Sequence, residues 1–150
     1  STMKLRTSLH MMESGLVYID KEPIDLQFRE KINYIKQTWP DSPKTGIMCY
    51  YVSEFNLLKK EFPNSQIYSS IRNAEGVDLS HLDNFIIFSF GFSGAKFVQL
   101  RDRCTNINST KQNTVHILLM KDSISTQVYE CVNNKKNFND ASFNQTVKLI

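Results

Sequence analysis

The chain has 150 residues and a formal net charge of +3. This length suits a single domain with one core, and so mild a charge is compatible with a phosphate-contacting surface without demanding one. Three cysteines, without C-x-x-C spacing, indicate neither a disulfide framework nor a zinc site. The cysteine pattern therefore favours a reduced, intracellular setting. No signal peptide and no run long enough to span a bilayer occurs, and we expect no membrane partner.

The N-terminal third predicts two helices separated by an extended piece. Lys4 to Ser14 suits a helix that ends at Gly15, and Leu16 to Ile19 suits a short strand. Pro23 then favours the first turn of a helix from Ile24 to Thr38. Apolar residues at a three-to-four spacing support that helix; they are Ile24, Phe28, Ile32 and Ile35.

Four strands are predicted further along the chain, and helices separate them. One helix follows Ser53 as its cap, another starts at Gly94 and the last at Asp122-Ser123. Strands that alternate with helices imply a parallel sheet covered on both faces. Tyr50-Tyr51 falls within the first strand, so we expect one ring to be buried and the other to face a helix. The predicted strands are Lys44 to Val52, Gln66 to Ser69, Asn84 to Phe90 and Asn113 to Met120.

The loops at the carboxyl ends of these strands are the expected functional edge, because ligands bind there in open parallel sheets. These loops run from Ser69 to Leu79 and from Phe90 to Ala95. On the helix after the second loop, Gln99, Arg103 and Asn106 follow at i, i+4 and i+7. Three hydrogen-bonding side chains would therefore share one stripe.

These segments resemble the C-terminal RecA-like lobe of superfamily-two helicases, closest to the Swi/Snf and phage-helicase branch. Gly76 to Leu79 is similar to the fifth motif of that family. Gln99 to Arg103 is similar to the sixth, Gln-x-x-Gly/Asp-Arg-x-x-Arg, and Thr114 to Ile124 to the closing strand and following helix. The resemblance reaches from about Lys4 to about Phe138.

The resemblance implies an α/β, RecA-like three-layer fold with a mostly parallel central sheet and helices on both faces. Residues 1–14 would be a connector from a missing N-terminal lobe, 15–139 the helicase lobe, and 140–150 a tail. ATP and Mg²⁺ would be held only together with a separate N-terminal lobe, since no G-x-x-x-x-G-K-[ST] phosphate loop occurs in this chain. The other partner would be DNA, with RNA as a second possibility.

The resemblance also implies roles for individual residues. Arg103 would be catalytic, and the residues that face the nucleotide would be Gly76, Asp78, Gln99 and Arg103. The nucleic-acid backbone would be contacted by Ser69, Ser70, Arg72 and Ser93. Each has a plainer alternative: Asp78 could only cap a turn, and Gln99 and Arg103 could form a solvated helix face. Arg101, on another side of the helix, is expected to pair with a surface carboxylate.

Two departures from the family pattern bear on activity. The second arginine of the sixth motif falls at Asn106, and an amide carries no charge with which to neutralise a transferring phosphate. The stretch between the first predicted strand and Gly76 is also about one α/β step too short, a compression that favours a phage or viral origin. The chain is therefore either half of an ATP-dependent DNA helicase or translocase, or a binding module that keeps a degenerate lobe. An unrelated α/β domain that binds a nucleotide or phosphate is the third possibility.

Overall fold

Five helices and six strands make up the part of the chain that the structure, a computed structural model, describes: residues 2–70, 79–105, 114–139 and 141–143. No helix within these residues is long and apolar enough to cross a membrane. The helices are α1 (Thr2–Met12), α2 (Glu30–Thr38), α3 (Val52–Glu61), α4 (Gly94–Thr105) and α5 (Ile124–Val132). The strands are β1 (Leu16–Ile19), β2 (Glu22–Asp25), β3 (Thr45–Cys49), β4 (Gln66–Ser69), β5 (Asn84–Ile87) and β6 (Thr114–Ile117).

The chain divides into two compact units. The first comprises Ser1–Phe28, Gly91–Gln99 and Leu119–Ile150. The second comprises Arg29–Phe90 and Leu100–Leu118. The sequence-based division into a connector, a lobe and a tail stays a prediction.

The second unit is built on a four-stranded, all-parallel sheet in the order β4-β3-β5-β6. The register places Cys49 beside Ser69, and Met48 beside Ile87. All five residues of β3 are buried, as expected of an inner strand covered on both faces, whereas the outer strand β6 has no fully buried residue. The predicted parallel sheet and the α/β class are confirmed, and all four strands lie within the ranges that the sequence predicted, although β3, β5 and β6 are shorter than those ranges.

The core of this unit joins one face of α2, the inner strands and α3. Ile32 and Ile35 point inward from α2, and Trp39 packs against the same cluster, as a packing anchor would. Leu58 is the fully buried apolar residue of α3, with Phe55 and Leu57 partly buried beside it. The other buried members of the cluster are Ile47, Cys49, Phe62, Ile86 and Phe88.

The first unit has an aromatic core. The rings of Phe92 and Phe138 lie 5.6 Å apart between centroids, and His10 approaches Phe92 at 5.2 Å. Arg6 lies over the Phe92 ring and donates a hydrogen bond to the Phe138 carbonyl at 3.0 Å. Glu13 accepts the Ser125 backbone N–H at 2.8 Å, so the residue just beyond α1 caps the start of α5. His10 is buried in this aromatic core.

The predicted helix from Ile24 to Thr38 is wrong in its first half. β2 pairs in an antiparallel hairpin with β1, and Pro23 stands opposite Tyr18. The two-residue turn, Asp20-Lys21, has positive φ at both positions, which is the geometry of a tight hairpin turn. A strand such as β1 needs a partner for its backbone hydrogen bonds, and proline is tolerated in a strand that lies at an edge.

Candidate functional site

The carboxyl edge of the sheet in the second unit brings together the ends of β3, β4 and β5. The Ser70 N–H donates to the Cys49 carbonyl at 2.9 Å, and the Phe88 N–H donates to the Met48 carbonyl at 2.8 Å. The first residue after β4 and the first residue after β5 are therefore still hydrogen-bonded to the backbone of β3. This is the edge at which parallel sheets bind ligands.

A buried carboxylate holds two of these strand ends together. Glu54 has no exposed surface, and its Oε1 accepts the Tyr51 N–H at 3.0 Å and the Ser89 hydroxyl at 2.5 Å. The Ser89 Oγ in turn accepts the Tyr50 N–H at 2.8 Å. A charged acceptor makes stronger hydrogen bonds than a neutral one, so the loops after β3 and β5 are fixed to each other.

A buried ammonium lies at the same edge. Lys31 of α2 donates a hydrogen bond to the Phe88 carbonyl, and its Nζ lies 4.2 Å from the centre of the Phe88 ring. The Cys49 thiol is close to the carbonyls of Tyr51 and Tyr68, at 3.7 Å and 3.6 Å. Burial raises the pKa of this thiol far above its ordinary value, and the Glu54 carboxylate adds to the rise. Cys49 is thus a packing residue rather than a nucleophile.

Sequence reasoning missed this polar network, although it left two signals. Glu54 stands three residues after Tyr51, where a glutamate of a capping box stands, and the structure makes Tyr51 the cap of α3 instead of Ser53. Ser89 is a lone hydroxyl in the apolar run from Phe85 to Phe90. A polar residue in a buried run needs a hydrogen-bond partner, and here that partner is Glu54.

Tyr50 and Tyr51 lie beyond the end of β3, so the prediction that they belong to the strand is wrong. Both rings are partly exposed and meet edge to face, with centroids 5.0 Å apart and an interplanar angle of 86°. Both backbone N–H groups are bound by the Ser89 and Glu54 side chains. Because these side chains draw the backbone away from the sheet, the strand stops at Cys49.

The residues predicted to contact nucleic acid fall into three settings. Ser69 is buried at the end of β4, and Ser70 follows it with a buried Oγ that meets no hydrogen-bonding group among the described residues. Ser93 precedes α4 in the first unit and accepts the Lys96 N–H at 3.4 Å, as a helix cap does. Arg72 lies outside the described residues.

The residues predicted to face the nucleotide lie on α4 or outside the described part of the chain. α4 contains Gln99, which is exposed, and Arg103 four residues later, whose side chain lies outside the described part. Gly76, Asp78 and Asn106 also lie outside it. Arg101 pairs with the carboxylate of Asp102 at 3.4 Å, so its predicted surface ion pair is confirmed. No cluster of three His, Cys, Asp or Glu side chains suited to a metal occurs among the described residues.

The start of α4 lies against a basic segment of the first unit. The Gly94 N–H donates to the Asn137 Oδ1 at 3.0 Å. A Cβ placed on Gly94 would lie 2.4 to 2.6 Å from backbone atoms of Lys135 and Lys136, so only glycine allows this approach. Lys96, Lys135 and Lys136 are all exposed. Positive side chains are therefore close to a helix N-terminus, which itself favours anions.

The described elements form an α/β, RecA-like fold, with a four-stranded parallel sheet joined by crossover helices. Among solved structures, the chain is similar to the crystal structure of the C-terminal part of the Fun30 ATPase domain, with a TM-score of 0.64 and 15% identity. The similarity covers 89% of this chain and 55% of that one, so the chain spans about half the length of the structure it matches. No family model and no curated protein matches the sequence.

Proposed function

We propose that this chain is the C-terminal lobe of an ATP-dependent DNA helicase or translocase of the Swi/Snf or phage type. The observation that carries the proposal is the parallel sheet, similar in fold to the C-terminal part of an ATPase domain. The order of Gly76-to-Leu79, Gln99-to-Arg103 and the closing strand supports it from the sequence. RNA in place of DNA would use the same backbone contacts.

In this proposal ATP and Mg²⁺ are bound by a separate N-terminal lobe that carries the phosphate loop. This lobe closes over them with Gln99 and Arg103 of α4 and with the turn at Gly76 and Asp78. The exposed amide of Gln99 is accessible for such a contact. Closing and opening of the two lobes while they hold nucleic acid would be the movement that drives translocation.

The nucleic-acid backbone is proposed to bind at the N-terminus of α4. Ser93 caps this helix, and Lys96, Lys135 and Lys136 supply exposed positive charge around it. Contacts of this kind neutralise phosphates and carry no base specificity, so binding should be weak, indifferent to sequence and steeply salt-dependent. Ser69, Ser70 and Arg72 are proposed as further backbone contacts.

This interface is tested with the triple variant Lys96→Ala, Lys135→Ala and Lys136→Ala. Each lost contact should reduce the slope of log affinity against log salt by about 0.9 on duplex DNA, so the triple variant should lower it by roughly 2 to 3. The measurement is fluorescence anisotropy with a labelled duplex over a salt series. The control is Lys59→Ala with Lys60→Ala, two exposed lysines at the C-terminal end of α3, where the helix dipole does not favour anions. Equal slopes for the triple variant and the native chain would contradict the proposed interface.

The second candidate function is a non-catalytic module that binds nucleic acid or protein with a degenerate lobe. Asn106, which stands where the family has its second arginine, favours it. The two candidates differ in turnover once an N-terminal lobe is supplied. A two-lobed protein that binds DNA but shows no DNA-stimulated ATP hydrolysis would favour the module.

A further inference from the structure

The tyrosine pair at the carboxyl edge of the sheet has a geometry suited to a ligand with a flat face. Tyr50 and Tyr51 are consecutive, partly exposed and edge to face at 86°. In an edge-to-face pair the edge of one ring lies against one face of the other. The contact between the two rings therefore does not occupy both faces of either ring. Tyrosine also has a polar hydroxyl, which allows its ring to remain solvated at a protein surface.

The backbone beneath the pair is fixed before any ligand arrives. Ser89 accepts the Tyr50 N–H, and the fully buried Glu54 accepts both the Tyr51 N–H and the Ser89 hydroxyl. Both tyrosine N–H groups therefore donate to the same pair of side chains, Ser89 and Glu54, which are hydrogen-bonded to each other. Ordering entropy is a main cost of binding, and a preordered loop avoids much of it.

We propose that Tyr50 and Tyr51 form a stacking platform for an unpaired nucleobase, so that the nucleic acid held at this edge is single-stranded. The inference rests on the proposed function and deepens it by naming the substrate class. Bases inside a duplex are stacked on their neighbours and present no face to a protein, whereas an unpaired base offers one. Stacking on aromatic side chains is tolerant of sequence because every base has a π-face.

The position of the pair matches a path along the strand ends. Tyr50 directly follows Cys49, whose carbonyl accepts the Ser70 N–H at 2.9 Å. The proposed backbone contacts Ser69 and Ser70 therefore lie next to the start of the tyrosine segment. A strand whose phosphates bind beside β4 would have its bases within reach of the loop after β3.

The test compares ring removal with ring retention in the full chain. Tyr50→Leu with Tyr51→Leu fills much of the ring volume without a π-face, and Tyr50→Phe with Tyr51→Phe keeps both rings. The matched control is Tyr34→Leu, an exposed tyrosine on α2 whose ring pairs with Trp39. Circular dichroism and thermal melting establish that each variant is folded. Binding is measured on oligothymidylate, oligouridylate, an abasic strand of the same length and a duplex.

The double leucine variant should bind oligothymidylate or oligouridylate about fivefold to 150-fold more weakly than the native chain, the range for loss of one stacked base. Its affinity for the abasic strand and for duplex should not change, and its salt dependence should keep the native slope. The double phenylalanine and Tyr34→Leu variants should bind as the native chain does. The tighter of the two homopolymers identifies the source of the base as DNA or RNA.

The proposal is overturned if the affinity of the double leucine variant falls by the same factor for the abasic strand as for the homopolymers. It is also overturned if its affinity for both homopolymers is unchanged. Salt-dependent binding of the native chain to duplex and abasic strand, unaffected by either tyrosine variant, would overturn the platform alone and leave the proposed function standing. Absence of native binding to any of the four nucleic acids would overturn both. Weakened binding of a free mononucleotide, with unchanged binding of the homopolymers, would reassign the pair to the nucleotide.

Discussion

A single carboxylate determines how the strand ends are held. In the Glu54→Ala variant, the Tyr51 N–H and the Ser89 hydroxyl lose the acceptor they now share. Because an unsatisfied buried polar group costs about 1–3 kcal/mol, we expect the free energy of unfolding to fall by roughly 3 kcal/mol or more. Urea denaturation followed by circular dichroism measures this change.

The matched control for that prediction is Glu61→Ala, on the same helix. Glu61 makes an ion pair with Lys36 at 2.5 Å, and both side chains retain exposed surface. Surface pairs contribute about 1 kcal/mol or less, so this variant should unfold close to the native midpoint. Equal reductions in the free energy of unfolding of the two variants would show that the buried network stabilises the fold no more than a surface ion pair does.

His116 should make stability depend on pH. Burial lowers the pKa of this imidazole, which packs 4.6 Å from the Trp39 ring. In the folded state it resists protonation, whereas the unfolded chain takes up a proton near its ordinary pKa of 6.5. The unfolded state therefore binds more protons below that pH, and stability falls as pH falls from about 6.5 toward the lower folded pKa.

The variant His116→Gln should reduce this pH dependence. Urea denaturation at several pH values between 7.5 and 5 (about the ordinary histidine range) gives the slope. His81→Gln is the control, because His81 is exposed in the folded chain as it is in the unfolded one. A slope unchanged by His116→Gln would mean that other groups cause the acid sensitivity.

At the scale of the elements, α4 is held by one close approach. In Gly94→Ala the new Cβ would meet the backbone of Lys135 and Lys136, and a backbone cannot move aside as a side chain does. We expect a loss of about 1–3 kcal/mol in the free energy of unfolding, although alanine is the better helix former by about 1 kcal/mol. Ala95→Gly, one residue along at an exposed position, should cost about 1 kcal/mol or less. A Gly94→Ala variant as stable as the native chain would contradict the close packing.

The strands were predictable because their apolar runs lie between turn signals. Phe85 to Phe88 reads as a buried strand without any tertiary information, and the structure confirms it as part of β5 and its continuation. The hairpin was not predictable in the same way. Ile24 and Phe28 share the spacing of the true α2 residues Ile32 and Ile35, and only pairing with β1 decides that Ile24 belongs to a strand.

The location of the candidate site stays a prediction, and the polar contacts found there were only partly predictable. Parallel topology put it at the carboxyl edge, where Ser69 and Ser70 are found. The contacts of Glu54 with Tyr51 and Ser89 join residues from different loops, and such contacts follow from packing rather than from spacing along the chain. The exposure of the tyrosines depends on that packing in turn.

The similarity covers 89% of this chain and 55% of the ATPase-domain structure, so the chain spans about half the length of that structure. Without a phosphate loop, this chain alone should hydrolyse no ATP above background and should bind nucleotide weakly, because the phosphates and Mg²⁺ have no cradle in it. A coupled ATPase assay of the purified chain, with and without DNA, measures this. Turnover that Arg103→Ala abolished would contradict the proposal and place a complete active site in this chain.

Under the proposed function, Asn106 determines whether a two-lobed protein that contains this chain hydrolyses ATP rapidly or has lost most of that activity. It lies outside the described residues, and in sequence it follows Arg103 by three positions, where the sixth motif has its second arginine. An arginine finger contributes roughly 10³-fold or more to phosphoryl transfer because it neutralises charge that develops in the transition state. If the chain is joined to an N-terminal lobe as proposed, the resulting two-lobed protein should therefore be a slow ATPase. Asn106→Arg should accelerate it, and Arg103→Ala should abolish the remaining activity.

Steady-state hydrolysis by the two-lobed protein at saturating DNA tests this, with Asn106→Gln as the matched control that keeps an amide. The glutamine variant should stay as slow as the native protein, since it changes side-chain length without adding charge. Fast native turnover that Asn106→Arg leaves unchanged would mean that another arginine supplies the finger. Arg101 would be the first alternative, and its ion pair with Asp102 would then have to open when the lobes close.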